Sequence, residues 1–141
     1  MSDRRGAGAS ASGMEKPNIL FVVTKLELGG AQKQLLHLLR GLDKQRFNIF
    51  LLTAKRGLLL EDFLSVPGVF LKQSAYLERP LNPLKDLLAG WEIFRFIKKH
   101  KIQIVHTHSS KAGIVGRFAA KMARVEKVLH TVHGWSFHDF Q

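Results

Sequence analysis

Short apolar runs alternate along the chain with stretches in which apolar residues recur every three or four positions. Continuous runs of this length suit strands that are covered on both faces, as in a parallel sheet. The runs occupy residues 19–23, 47–53, 69–73, 102–107 and 127–132. Strands that alternate with helices predict an α/β fold with right-handed crossovers. We expect a Rossmann-like, doubly wound parallel sheet with the strand order 3-2-1-4-5.

Amphipathic helices are predicted between these strands, each with one apolar stripe facing the core. The stripes comprise Leu35, Leu38, Leu39 and Leu42, then Leu84, Leu87, Leu88, Trp91, Phe94 and Ile97, and finally Val115, Phe118, Ala119 and Met122. Pro83 suits the first turn of the second helix. Ser109 and Ser110 are candidate N-caps of the third helix, because their hydroxyl groups can accept from its first backbone N–H groups.

The length and composition limit the classes of protein to consider. A chain of 141 residues predicts one domain. It has no cysteine, which excludes a disulfide framework and a thiolate metal site. Residues 1–16 are rich in Gly, Ala and Ser and contain no apolar segment, so they predict a disordered tail rather than a secretory signal.

Basic residues outnumber acidic ones by two to one. The 22 Lys and Arg against 11 Asp and Glu give a formal net charge of +11. This excess favours an anionic partner such as nucleic acid, anionic lipid or a phosphorylated substrate. Nucleic acid is not expected, because the aromatic residues do not interleave with basic residues as stacking platforms do.

Two predicted helices carry basic residues that suit an anionic membrane surface. They are Arg95, Lys98 and Lys99 on the second helix and Arg117, Lys121 and Arg124 on or just after the third. An ordinary solvated face explains the same charges.

Unusual segments follow three of the strands and meet at one edge of the predicted sheet. They are residues 25–30, 106–111 and 133–135. In this fold, ligands bind beyond the carboxyl ends of the strands, where the strand order reverses. Gly29 and Gly30 form neither a dinucleotide fingerprint nor a Walker A loop. They predict either a tight turn or a helix N-terminus that receives a phosphate.

Lys111 lies in the first turn of a predicted helix, where its charge opposes the helix dipole by about 0.3–1 kcal/mol. A bound anion would reverse that sign, whereas a solvated surface lysine is the simpler explanation.

Histidines concentrate near the same edge. His106 and His108 lie two apart on a strand, point the same way and suit a shared zinc ion, with His130 or His133 as a third ligand. No Asp or Glu lies between Glu92 and Glu126, so no carboxylate flanks the pair, which weighs against that site. His133 suits the orientation of a hydroxyl group or proton exchange, or else a capped turn.

Three segments in order resemble one enzyme family. They are KLELGGAQKQLLHLLRGL after the first strand, IVHTHSSKAGIVGRFAAKMA around the fourth and VLHTVHGWSF at the fifth. Together they look like the N-terminal domain of retaining glycosyltransferases with the GT-B fold, and most like the family 4 group of bacterial nucleotide-sugar transferases. The similarity spans residues 17–138.

The resemblance implies two Rossmann-like domains facing a cleft, with the acceptor held mostly by the N-terminal one. Gly29 and Gly30 are then expected at the donor phosphates, and His133 is the expected catalytic residue near the transferred sugar. His108, Ser109 and Lys111 match the acceptor-side segment. The family needs no metal or other cofactor and uses a nucleotide sugar as its donor substrate.

The sequence departs from the family in lacking the donor-binding domain. Residues 17–141 are therefore expected to be a truncated N-terminal domain that is inactive alone. The parent enzyme is expected to transfer a sugar to a glycan or lipid-linked acceptor in cell-envelope polysaccharide synthesis. It would be cytoplasmic, at the inner face of the membrane. The alternative is a non-catalytic half-enzyme or binding module that needs a separate donor-binding partner.

Overall fold

The computed structural model describes residues 16–24, 30–55, 57–77, 82–108 and 110–131. The strands in these ranges are β1 (Asn18–Val23), β2 (Asn48–Ala54), β3 (Val69–Ser74), β4 (Ile104–His108) and β5 (Lys127–Thr131). The helices are α1 (Gly30–Gly41), α2 (Leu60–Leu64), α3 (Pro83–His100) and α4 (Ser110–Met122). Each predicted strand is present within about two residues of its expected bounds. The predicted tail, residues 1–16, lies almost entirely outside the described residues.

The strands form one sheet in the order β3-β2-β1-β4-β5, and all neighbouring pairs are parallel. This confirms the predicted order 3-2-1-4-5 and the Rossmann-like fold class. β1 is the central strand, and its Ile19 pairs with Ile49 of β2 and Ile104 of β4. Five of its six residues are buried, as expected for a strand that has helices on both faces.

Alternate residues of β1 face two separate hydrophobic layers, because successive side chains of a strand point to opposite faces. Leu20 and Val22 pack in the layer built by α3 and α4. Phe21 and Val23 pack in the layer built by α1 and α2. The sheet therefore separates a face covered by α3 and α4 from a face covered by α1 and α2.

Two glycines bring α4 unusually close to the sheet. A Cβ atom on Gly116 would lie 2.7 Å from Cγ2 of Thr107, and one on Gly113 would lie 2.5 Å from Cε1 of His130. Thr107 is fully buried, and its hydroxyl contacts Nδ1 of His130 at 2.7 Å. The close contact therefore fixes the position of α4 against both β4 and β5.

The predicted helix stripes are only partly correct. Leu35 and Leu39 of α1, Ile97 of α3 and Ala119 of α4 are buried as expected. The predicted core residues that are instead exposed are Leu38, Leu84, Leu87, Trp91, Phe118 and Met122. The residues that face the sheet in their place include Ala89, Ile93 and Phe96 of α3 and Ala112, Ala120 and Ala123, in and just after α4. Small side chains face the sheet because α4 packs too closely to it for large ones.

Replacing Gly116 with alanine is expected to lower the free energy of unfolding. Overpacking against the buried Thr107 costs about 1–3 kcal/mol, which outweighs the gain of about 1 kcal/mol from replacing a helical glycine. Gly90→Ala in α3 is the matched control, since its Cβ would meet Val115 at an ordinary 3.7 Å. Urea denaturation should give opposite signs for the two variants. A stabilised Gly116→Ala variant would contradict the close packing.

His100 predicts a pH dependence of stability. Its ring packs on Phe96 at a centroid distance of 4.2 Å, and burial, followed by the charges of Lys99 and Lys72, lowers its pKa below 6.5. The unfolded chain therefore binds more protons just below pH 6.5, so stability contributed by neutral His100 rises with pH through that range. His100→Gln should flatten this part of the profile. A profile with the same slope in this variant would contradict the lowered pKa of His100.

Candidate functional site

The carboxyl ends of β1, β4 and β5 lie side by side. Val23, the last residue of β1, pairs with His108, which in turn pairs with Thr131 of β5. Helices α1 and α4 each follow a strand that ends here, so both begin at this edge. The described parts of two of the predicted segments, Gly30 and residues 106–108 with 110–111, therefore lie at this edge. Residues 25–29 and 133–135 lie outside the described residues.

The predicted donor-side residues are described only at Gly30. Gly29, Ser109 and His133 lie outside the described residues. Gly30 is the first residue of α1, is exposed and has no described atom within 4 Å of the position that a Cβ would occupy. The described part of the chain thus leaves open space beside the first turn of α1, where backbone N–H groups favour an anion.

His108 is buried at the end of β4, with 4% of its surface exposed. Its ring centroid lies 4.3 Å from that of His106 and 6.0 Å from that of Phe21. Phe21 belongs to the layer formed by α1 and α2, so both imidazoles lie on that face of the sheet. His108 therefore lies on the face of the sheet that α1 and α2 cover, next to β1, the strand that precedes α1.

The zinc site with His130 as third ligand is wrong. His130 contacts Thr107 and lies against Gly113 of α4, so it is on the face covered by α3 and α4. His106 and His108 are on the opposite face, where His106 contacts the hydroxyl of Thr131. Within the described ranges, no cluster of three or more His, Cys, Asp or Glu residues suits a metal ion. The alternative zinc site, with His133 as its third ligand, involves a residue outside the described ranges.

Lys111 in the first turn of α4 forms an ion pair with Asp86 of α3. The Nζ and Oδ1 atoms are 2.7 Å apart, and the two side chains are 9% and 23% exposed. The carboxylate compensates the unfavourable position of a lysine near the positive end of a helix dipole. Lys111 is a candidate from the sequence, whereas Asp86 is not, because the two residues are far apart in sequence and no spacing rule relates them.

This geometry makes the edge of the sheet favourable for negative charge. The N-termini of α1 and α4 both present the positive ends of helix dipoles, which stabilise negative charge within about one turn. Lys111, paired with Asp86, adds a cationic side chain in the first turn of α4 at the same edge. The arrangement is suited to binding a phosphorylated or otherwise anionic ligand across the ends of β1 and β4.

The Asp86–Lys111 pair is expected to contribute measurably to stability. A double-mutant cycle with Asp86→Asn and Lys111→Met should give a coupling of about 1–2 kcal/mol, between the limits for exposed and buried pairs. The control cycle uses Lys72 and Glu92, whose charged atoms are 4.0 Å apart with Lys72 42% exposed. That cycle should give below about 1 kcal/mol. Equal couplings in the two cycles would show that the Asp86–Lys111 pair has no special role.

The sequence is similar to two glycosyltransferases of Escherichia coli. It is 40% identical over 112 residues to the Escherichia coli UDP-Gal:alpha-D-GlcNAc-diphosphoundecaprenol alpha-1,3-galactosyltransferase, covering 78% of this chain and 28% of that enzyme. It is 29% identical over 119 residues to the E. coli O-antigen biosynthesis glycosyltransferase WbnH, covering 84% of this chain and 32% of WbnH. The chain thus spans about a third or less of these relatives.

A solved structure supports the fold. The glycosyltransferase from Rickettsia africae ESF-5 superimposes with a TM-score of 0.70 at 22% identity, covering 90% of this chain and 34% of that one. Residues 28–141 match the family described as Glycosyltransferase Family 4, a range that includes residues 106–111, residues 133–135 and all but the first residues of 25–30. The chain therefore belongs to Glycosyltransferase Family 4, and its fold is that of a solved glycosyltransferase.

Proposed function

We propose that this chain is the acceptor-side part of an enzyme that transfers a sugar from a nucleotide-diphosphate sugar to a lipid-linked glycan acceptor in cell-envelope polysaccharide synthesis. The observation that carries the proposal is the convergence of the N-termini of α1 and α4 at the ends of β1 and β4. An edge of this kind favours diphosphate groups, which both a nucleotide sugar and a diphospholipid acceptor carry. The 40% identical relative has a UDP-Gal donor and a diphosphoundecaprenol acceptor in its name.

The roles of individual residues follow from this arrangement. Gly29 and Gly30 would let the donor phosphates approach the first turn of α1, where Gly30 is exposed. His108, Ser109 and Lys111 would contact the acceptor. Asp86 would act as a positioning residue, because its ion pair holds the Lys111 ammonium at the N-terminus of α4.

His133 would act in the reaction itself by orienting the acceptor hydroxyl or exchanging its proton near neutral pH. Backbone N–H groups and cations would stabilise the negative charge that develops on the leaving nucleotide. We propose that no metal cofactor is needed for this step, which is in keeping with the large excess of cationic residues in the chain.

The protein is proposed to work at the inner face of the membrane. A lipid-linked acceptor has to be reached there, and exposed cations such as Lys98, Lys99 and Lys121 suit an anionic lipid surface. None of the helices in the described ranges has the length and apolar character needed to span a bilayer. The donor-binding domain would be supplied in cis or by a partner chain, in which case the protein is a half-enzyme subunit.

A transfer assay tests this function. The full-length protein should transfer sugar from one of a panel of nucleotide sugars, including UDP-galactose, to a synthetic GlcNAc-diphospholipid, whereas residues 1–141 alone should not. His133→Ala should lower kcat by about 10²–10⁴-fold. His37→Ala, exposed on α1, is the matched control and should leave kcat unchanged.

The same assay separates the alternatives. Activity that EDTA removes and a divalent cation restores would contradict the proposed metal independence. Robust transfer by residues 1–141 alone would overturn the assignment of this chain to the acceptor side. Transfer that appears only after a separately expressed donor-binding chain is added would identify a half-enzyme.

A further inference from the structure

An apolar groove runs between the outer faces of α3 and α4. Its volume is about 450 Å³, within the usual range for ligand pockets of about 300–1,000 Å³. The walls of this α3–α4 groove are formed by Leu87, Trp91 and Phe94 of α3 and Ile114, Phe118 and Met122 of α4. Apart from the Asp86 carboxylate at one end, the residues that line it carry apolar side chains or none.

The large side chains of the groove are exposed to an unusual degree. Trp91 is 58% exposed and Phe118 is 62% exposed, and Leu87, Ile114 and Met122 are similar. Trp91 and Phe94 stack with their planes 17° apart and their centroids 5.5 Å apart, which gives one wall a flat aromatic surface. Contiguous exposed apolar residues of this kind mark a binding surface rather than part of the core.

The shape of the groove suits a narrow, linear ligand. Gly90, Val115 and Ala119 also line the groove and are less exposed than its large side chains, with Ala119 only 2% exposed. From Asp86 to Phe94 the helix rises by about 12 Å. The groove is therefore long enough for the first part of an extended hydrocarbon chain.

One end of the groove is continuous with the candidate site. Asp86, at that end, pairs with Lys111 in the first turn of α4, and α4 begins at the sheet edge where β1 and β4 end. A ligand with an anionic head and an apolar tail would thus place its head at the N-terminus of α4 and its tail between the two helices.

We propose that the α3–α4 groove binds the isoprenoid chain of the lipid-linked acceptor, next to its diphosphate. This inference rests on the proposed function and adds a subsite to it. Trp91 and Phe118 contact the first isoprene units, and the remainder of the chain extends beyond the groove. The enzyme consequently discriminates among acceptors by the apolar group on the diphosphate as well as by the sugar.

Intrinsic fluorescence tests the binding directly. Trp91 and Trp135 are the two tryptophans of the chain, so a Trp135→Phe background leaves Trp91 as the only reporter. Farnesyl diphosphate, kept below its micelle concentration, should shift Trp91 emission to the blue in a saturable way, and inorganic diphosphate should not. Phe118→Glu should weaken this binding by roughly tenfold or more. Leu64→Glu on the exposed side of α2, on the other face of the sheet, is the matched control and should have no effect.

A kinetic assay separates failure of the groove from failure of the proposed function. In the full-length protein, Phe118→Glu should raise KM for a farnesyl-diphospho-GlcNAc acceptor by roughly tenfold or more. It should leave kcat/KM for the methyl-diphospho-GlcNAc acceptor unchanged. If neither acceptor is used, the proposed function fails, and the Trp91 titration still decides whether the groove binds prenyl chains.

Several results would overturn the inference. One is a Trp91 shift with phosphatidylglycerol vesicles but none with farnesyl diphosphate, which would identify the bilayer as the occupant. A second is a dimer that Phe118→Glu converts to a monomer, which would identify a second copy of the chain. A third is equal loss of activity with the farnesyl and methyl acceptors, which would reduce Phe118 to a structural role. Circular dichroism spectra and urea midpoints of each variant show whether a loss of binding or activity comes from unfolding.

Discussion

The close packing of α4 against β4 is the constraint on which the functional edge depends. Thr107 is fully buried and occupies the space that a side chain at position 116 would need, so the helix and strand approach at the van der Waals limit. Because interiors are close-packed, this contact fixes the depth at which α4 lies on the sheet. The contact therefore holds the first turn of α4 at the edge where β1 ends. It also places α4 beside α3 on the sheet.

A second consequence is electrostatic. An approach this close brings Asp86 of α3 within 2.7 Å of Lys111, so a lysine in an unfavourable first-turn position gains a carboxylate partner. The pair is largely withdrawn from solvent, where interactions between charges are less screened. A fixed ammonium beside a helix N-terminus needs little reorganisation when an anion arrives, which is how preorganised sites stabilise charge. Packing and electrostatics therefore act on the same turn of the same helix.

The sheet was predictable from sequence, whereas the helix faces were not. Apolar runs such as residues 19–23 identify strands covered on both sides, and their alternation with helices predicts a parallel sheet. The expected order 3-2-1-4-5 is one of the two common orders of such sheets, and it is the order observed. In α3 and α4, however, apolar residues occupy more than one stripe. Choosing the stripe with the largest side chains placed Trp91 and Phe118 in the core, because sequence spacing carries no information on interhelical distance. The Asp86–Lys111 pair was invisible for the same reason.

The large apolar residues of α3 and α4 that were predicted in the core and are exposed bear on function. A helix that faces its sheet with Ala112, Ala119 and Ala120 gains less from burial than one that faces it with large residues, since transfer free energy scales with apolar area. Exposing Ile114 and Phe118 in the same helix brings no folding benefit and raises the risk of association. Stability alone would favour the opposite arrangement, with large residues inward and polar ones outward. Close packing against the sheet accounts for the small residues on the inner face of α4, and the proposed ligand tail in the α3–α4 groove accounts for the large apolar residues on its outer face.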